Sequence, residues 1–182
     1  MLRELIVAAV AAMAVAPAAA AGPQDPENTL YMDLATGRVV IRLRPDLAPE
    51  HVRRLKELTR EGFYDGVVFH RVIEGFMAQT GDPTGTGSGG SKLPDLKAEF
   101  SKEPFKRGTV GMARTANPNS ANSQFFICFK DAPWLNNQYT VVGEVVEGME
   151  NVDRIKRGQG QSGSVPPPQD NIVKMQVAAD AK

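Results

Sequence analysis

Between Phe69 and Asp82 the run FHRVIEGFMAQTGD alternates apolar and polar positions as a strand does, and it sets one arginine, Arg71, among the apolar residues. Thr29 to Leu34 and Arg38 to Leu43, rich in β-branched residues and separated by Thr36-Gly37, read as a hairpin. Further strands are predicted at Val67 to Ile73, Met77 to Gly81, Thr109 to Arg114, Gln124 to Phe129, Val141 to Val146 and Ile172 to Val177. Helical signals are fewer. Pro49 suits a first helical turn, with Val52, Leu55 and Leu58 forming an apolar stripe before Gly62, and a shorter helix is predicted from Met149 to Arg157. His51, among Arg53, Arg54 and Glu57, is expected in solvent. Many short strands and few helices suggest a mainly β fold closed into a barrel, which leaves no exposed sheet edge.

The chain has 182 residues, 42% of them hydrophobic, which suits one closed core and is short for two ordinary domains. Lysine plus arginine equals aspartate plus glutamate at 21 each, so no overall field favours a phosphate backbone, and nucleic acid is not an expected partner. The first residues differ from the rest. Leu5 to Ala16 is an apolar run preceded by Arg3 and followed by small residues, the pattern of a secretory signal, with a cut after Ala21 preferred and Ala18 to Ala20 also serving. That run is shorter than the roughly 20 residues a spanning helix needs. A signal over residues 1–21, one domain over 22–182 and a periplasmic or secreted location are therefore expected. Cys128 is the only cysteine, so no internal disulfide can form, and its place in FFICF suits a small core residue.

Arg71 is the chemical puzzle. A guanidinium does not deprotonate at working pH, so it must be solvated at a rim or hydrogen-bonded by groups such as Gln79. Gly85, Gly87 and Gly90 fit the dinucleotide pattern G-x-G-x-x-G, but Ser91-Lys92-Leu93-Pro94 follows them where a helix would have to begin. A loop is the better reading, and no cofactor is expected. His51 and His70 are the only histidines and lack a cysteine pair, so no metal site is expected either.

Several separated blocks fall together in one pattern: FHR at Phe69 to Arg71, GFMAQTGD at Gly75 to Asp82, GMA at Gly111 to Ala113, SQFFI at Ser123 to Ile127, and Trp134-Leu135. In these blocks, and over Asn28 to Val177 as a whole, the chain resembles the cyclophilin family of peptidyl-prolyl isomerases. The resemblance implies a closed eight-stranded antiparallel barrel capped by two α-helices. It also implies an enzyme that speeds rotation about X-Pro bonds, acting on proline-containing peptides and unfolded proteins, as a monomer. Arg71 would meet the amide nitrogen, with Gln79 and Phe76 completing the catalytic set. Phe76, Met77, Phe126 and Leu135 would grip the proline ring, the backbone of Ala113, Arg114 and Thr115 would pair with the peptide, and His70 would neighbour the groove. Trp134 stands where many members carry the tryptophan that touches cyclosporin, which makes that drug an implied ligand. Arg114 and Thr115 stand where asparagine and alanine are common, and Tyr139, at the pocket wall, stands where histidine is common. These departures bear on peptide preference.

Overall fold

The computed structural model describes residues 23–182, so the expected signal over residues 1–21 lies outside the described residues. Eight strands form: β1 Thr29–Leu34, β2 Gly37–Leu43, β3 Arg71–Ile73, β4 Met77–Thr80, β5 Thr109–Met112, β6 Phe125–Cys128, β7 Val141–Glu147 and β8 Ile172–Val177. Two α-helices join them, α1 at Pro49–Arg60 and α2 at Met149–Asp153. The predicted hairpin is present, with Leu34 opposite Gly37, whose φ of 135° only glycine adopts readily. The second helix stops four residues early. The carbonyls of Asp153 and Ile155 accept from the Arg157 guanidinium at 2.7 Å each, and the Lys156 amide turns to Asp170 Oδ2 at 2.7 Å.

All pairings are antiparallel, in the spatial order β3-β4-β6-β5-β7-β2-β1-β8. The expectation of a closed barrel is not met: the sheet curls but stays open between β3 and β8. The reason lies in β3, which has only three residues and whose outer edge is already occupied. Val72 donates to the carbonyl of Gly163 at 2.8 Å, and Arg71 bridges to Ser164, so the segment 158–165 sits where β8 would have to pair. The chain before β3, predicted as strand from Val67, meets the start of β8 only through a Val68–Asn171 bridge and scattered bonds such as Phe69 N–H to the Asp170 carbonyl at 2.8 Å.

β5 and β6 are buried at every position, because both faces of the sheet are covered. Val110, Met112, Phe125 and Ile127 face the main core with Leu30, Met32, Ile41 and Leu55. Phe126 and Cys128 face the other way, joining Met77, Phe105, Leu135 and Val141 in a second apolar cluster on the outside of the curl. Strict alternation puts successive side chains on opposite faces, so one four-residue strand serves two cores.

Helix α1 covers an end of the sheet, and here the expectation for His51 is overturned: it is fully buried, as is nearly all of Arg54. The segment around Glu99 lies over the helix start and widens its buried face. The N-cap residue Ala48 offers no side-chain acceptor, and the Glu99 carboxylate fills that role, taking the amides of Glu50 at 3.2 Å and His51 at 3.0 Å together with His51 Nδ1 at 2.5 Å. With Nδ1–H donating, Nε2 is the unprotonated nitrogen, and it has no partner among the described residues. Burial holds the His51 pKa below its ordinary 6.5 although Glu99 opposes the shift. His70 is likewise lowered by burial.

Both histidines therefore bind protons more readily unfolded than folded, so the stability they confer is complete above pH 6.5 and drains away as pH falls. Denaturant titrations from pH 8 to pH 5 are expected to show stability falling below about pH 6.5, by up to about 1.4 kcal/mol per pH unit for each histidine. Glu99→Ala should cost about 2 kcal/mol at neutral pH by uncapping α1. A flat profile between pH 7 and 5 would contradict the placement of both rings.

Candidate functional site

The register of the sheet sets four residues in a row across neighbouring strands: Arg71 on β3 opposite Gln79 on β4, Gln79 opposite Phe126 on β6, and Phe126 opposite Gly111 on β5. Paired residues share a face, so this row stands on the outer side of the curl. Arg71 Nε donates to the carbonyl of Ser162 at 3.0 Å and Nη1 to Gln79 Oε1 at 3.2 Å. Among the described residues no carboxylate lies within ion-pair distance of it. The guanidinium is held by neutral oxygens and keeps its full charge.

A chain of amides fixes its orientation. Gln124 Nε2 donates to the carbonyls of Gly87 at 3.0 Å and Gly89 at 2.8 Å, which turns its Oε1 toward Gln79 Nε2 at 2.9 Å. Gln79 must then present its own Oε1 to Arg71. The two carbonyls at the far end belong to a loop tied to the buried Asp82 carboxylate. That carboxylate accepts from the amides of Thr84 at 2.8 Å, Gly87 at 2.6 Å and Gly89 at 3.0 Å, and from the Thr84 hydroxyl at 2.7 Å. Burial would raise the Asp82 pKa, but the bonds from Gly89, Thr84 and Gly87 outweigh it and bring it to about 2. The loop that carries Gly85, Gly87 and Gly90 thus closes on an anion of the chain itself, with the amides of Thr84, Gly87 and Gly89 serving the Asp82 carboxylate.

Beside Arg71 opens a groove of about 520 Å³. Its apolar part is made by Phe76, Met77, Phe126 and Leu135, with Tyr139 and Ala113 at the wall. Phe126 stacks on Phe105 at 5.8 Å and meets Tyr139 edge-on at 5.8 Å. Gly111 permits this floor, since a Cβ there would lie 2.6 Å from both Phe105 and Phe126. His70 and Arg114 also line the groove, as do Ser162, Ser164, Thr86 and Gly87. His70 is neutral: burial lowers its pKa, and neither ring nitrogen has a partner among the described residues.

Of the residues singled out from sequence, Arg71, Gln79, Phe76, His70, Met77, Ala113, Arg114, Phe126, Leu135 and Tyr139 come together around this groove. Thr115 lies in an adjoining depression of about 490 Å³ that shares Gln79, Gly87, Ala113 and Arg114 with the first. Trp134 does not line either; it is 61% exposed and leans on the outer side of Phe76, with ring centroids 5.5 Å apart. Two of the three backbone amides from Ala113 to Thr115 are already engaged within the chain. The amide of Ala113 already donates to the Gln124 carbonyl at 3.0 Å and that of Thr115 to Ser120 Oγ at 2.9 Å, which leaves the amide of Arg114. Sequence reasoning did not single out Gln124 or Ser162. Gln124 stood inside the SQFFI block, but nothing in the sequence marked the Ser162 carbonyl. Cys128 is buried in the second cluster, where burial pushes its thiol up to about 12.

The profile of the family described as "Cyclophilin type peptidyl-prolyl cis-trans isomerase/CLD" matches residues 29–177. A Brucella suis protein named "Probable peptidyl-prolyl cis-trans isomerase" is 56% identical over 98% of this chain and 96% of its own. Among solved structures, the cyclophilin AquaCyp293 from Hirschia baltica superposes with a TM-score of 0.76 at 27% identity, covering 87% of this chain and 76% of that one. A Cryptosporidium parvum cyclophilin-type peptidyl-prolyl cis-trans isomerase, solved in the presence of the dipeptide Ala-Pro, gives 0.75 at 27% identity, covering 82% and 98%.

Removing the anchor of the loop should free it without unfolding the sheet. In Asp82→Ala, hydrogen exchange at the Thr84, Gly87 and Gly89 amides is expected to quicken at least about tenfold, with β4 and β6 still protected. Unchanged exchange at Gly87 and Gly89 would contradict the role given to Asp82.

Proposed function

The chain belongs to the family of cyclophilin-type peptidyl-prolyl cis-trans isomerases, and from that premise we propose that the groove beside Arg71 is where it turns X-Pro bonds. Such a bond rotates slowly because resonance gives it partial double-bond character, with a barrier of about 18–20 kcal/mol. Its cis and trans forms differ by only about 0.5–1 kcal/mol. Catalysis therefore has to weaken resonance in passing, with no bond cut and no proton moved.

As the amide twists, its nitrogen pyramidalises and regains a lone pair, so a donor aimed at that nitrogen is worth more in the twisted state than in either planar one. Arg71 supplies the donor. Because only neutral carbonyls hold it, its charge is available to the substrate. Phe76, Met77, Phe126 and Leu135 clamp the proline ring, Gln79 keeps the guanidinium in plane, and the Arg114 amide pairs with the extended peptide. His70, neutral and with no proton transfer to serve in this reaction, shapes the wall. The observation that carries this reading is an uncompensated guanidinium beside an apolar notch.

Cyclosporin belongs to the same proposal as a competing ligand, since Trp134 stands exposed against Phe76 at the groove's outer side. Export rests on the apolar run Leu5 to Ala16 and the small residues after it, and clients in the exported fraction follow from that.

Isomerisation of a short proline peptide, followed by NMR exchange, should be accelerated by the protein and slowed by cyclosporin. Arg71→Ala should lower kcat/KM at least about tenfold with the fold intact by circular dichroism. An equal rate in the folded variant would remove Arg71 from the mechanism, and no acceleration by the native protein would reduce the groove to a peptide-binding site.

A further inference from the structure

Arg114 is a second fixed cation on the groove. Its guanidinium donates from Nε and Nη2 to the carbonyl of Gln138 at 3.1 and 2.7 Å, and from Nη1 to the carbonyl of Thr115 at 2.9 Å. It also lies over the ring of Tyr139, 4.5 Å from the centroid. Carbonyls and an aromatic face hold the group in place without cancelling its charge, and among the described residues no carboxylate pairs with it. The apolar groove is thus lined by two guanidinium groups, those of Arg71 and Arg114, and by no carboxylate. Arg114 also belongs to the wall shared with the adjoining depression, where the one lining carboxylate, Asp95, accepts from Asn122 Nδ2 at 3.0 Å.

Arg114 is thus common to the lining of the groove that holds Phe76, Met77, Phe126 and Leu135 and of the depression beside it. We propose that Arg114 selects peptides carrying an acidic residue, aspartate or glutamate, directly beside the proline, an inference that rests on the isomerase reading of the groove. The cation is already immobilised, so little further side-chain freedom is lost when a carboxylate arrives. Its bonds to main-chain oxygens survive in the complex, and the positive field of the two arginines disfavours lysine at the same place.

The test compares two neutral-ended peptide series, Ala-Xaa-Pro-Ala and Ala-Pro-Xaa-Ala, with Xaa as Glu, Gln or Lys, by NMR exchange on the full domain. In at least one series kcat/KM for Glu is expected to exceed Gln roughly fivefold, with Lys lowest, and the ratio should shrink as salt is raised. In Arg114→Gln the Glu-to-Gln ratio should collapse to about one whatever the absolute rate, and in Arg114→Lys it should persist in part. Should Arg114→Gln not fold, the Lys variant and the salt dependence of the native protein decide. Equal turnover of Glu, Gln and Lys peptides would overturn the selection while leaving the isomerase reading in place, as would a ratio that survives Arg114→Gln. No acceleration of any peptide would overturn the isomerase reading, and this proposal with it.

Discussion

A guanidinium that is satisfied by hydrogen bonds but not neutralised is the constraint around which this protein is arranged. Pairing Arg71 with a carboxylate would have been the simplest way to seat it at the rim of an apolar groove, and would have cancelled the charge that makes it useful. Neutral oxygens avoid this, yet they must come from separate elements: Ser162 from the segment that edges β3, Gln79 from β4, and behind Gln79 the Gln124 amide and the loop gathered on Asp82. The open side of the sheet follows from the same arrangement. The segment 158–165 lies along β3 and delivers the Ser162 carbonyl, so β8 has no edge there to pair with.

The floor of the groove is made by the fold as well. Phe126 and Cys128 turn outward from the strand whose Phe125 and Ile127 turn into the main core. A substitution at Phe126 or Gly111 would therefore disturb both the notch and the packing of a strand buried on both sides. Site and core share a backbone, which ties the position of the ring clamp to the register of β4, β5 and β6.

Strand order along the chain, the hairpin and the start of α1 were legible because alternation, the turn at Gly37 and Pro49 are local signals. Burial of His51 and Arg54 was not, because it depends on Glu99 and Pro94, some 40 residues or more away, folding over a helix face that looks solvated in isolation. The GxGxxG run was legible as a loop, but which anion its amides serve is settled by Asp82, and only the folded loop shows it. Most of the groove was readable through the FHR, GFMAQTGD and SQFFI blocks. The contribution of Ser162 was not, since it is a main-chain oxygen that any residue type would supply. Trp134 stands exposed against Phe76, a placement that its own sequence neighbourhood could not give.

The most direct test of the central claim is to give Arg71 the counter-ion it lacks. Gln79→Glu places a carboxylate where Gln79 Oε1 now sits, 3.2 Å from Nη1, at almost unchanged size. At pH 7 the account predicts that proline isomerisation slows at least about tenfold while peptide affinity, measured in parallel, changes little. A rate equal to that of the native protein, with the carboxylate ionised and paired to Arg71, would contradict it.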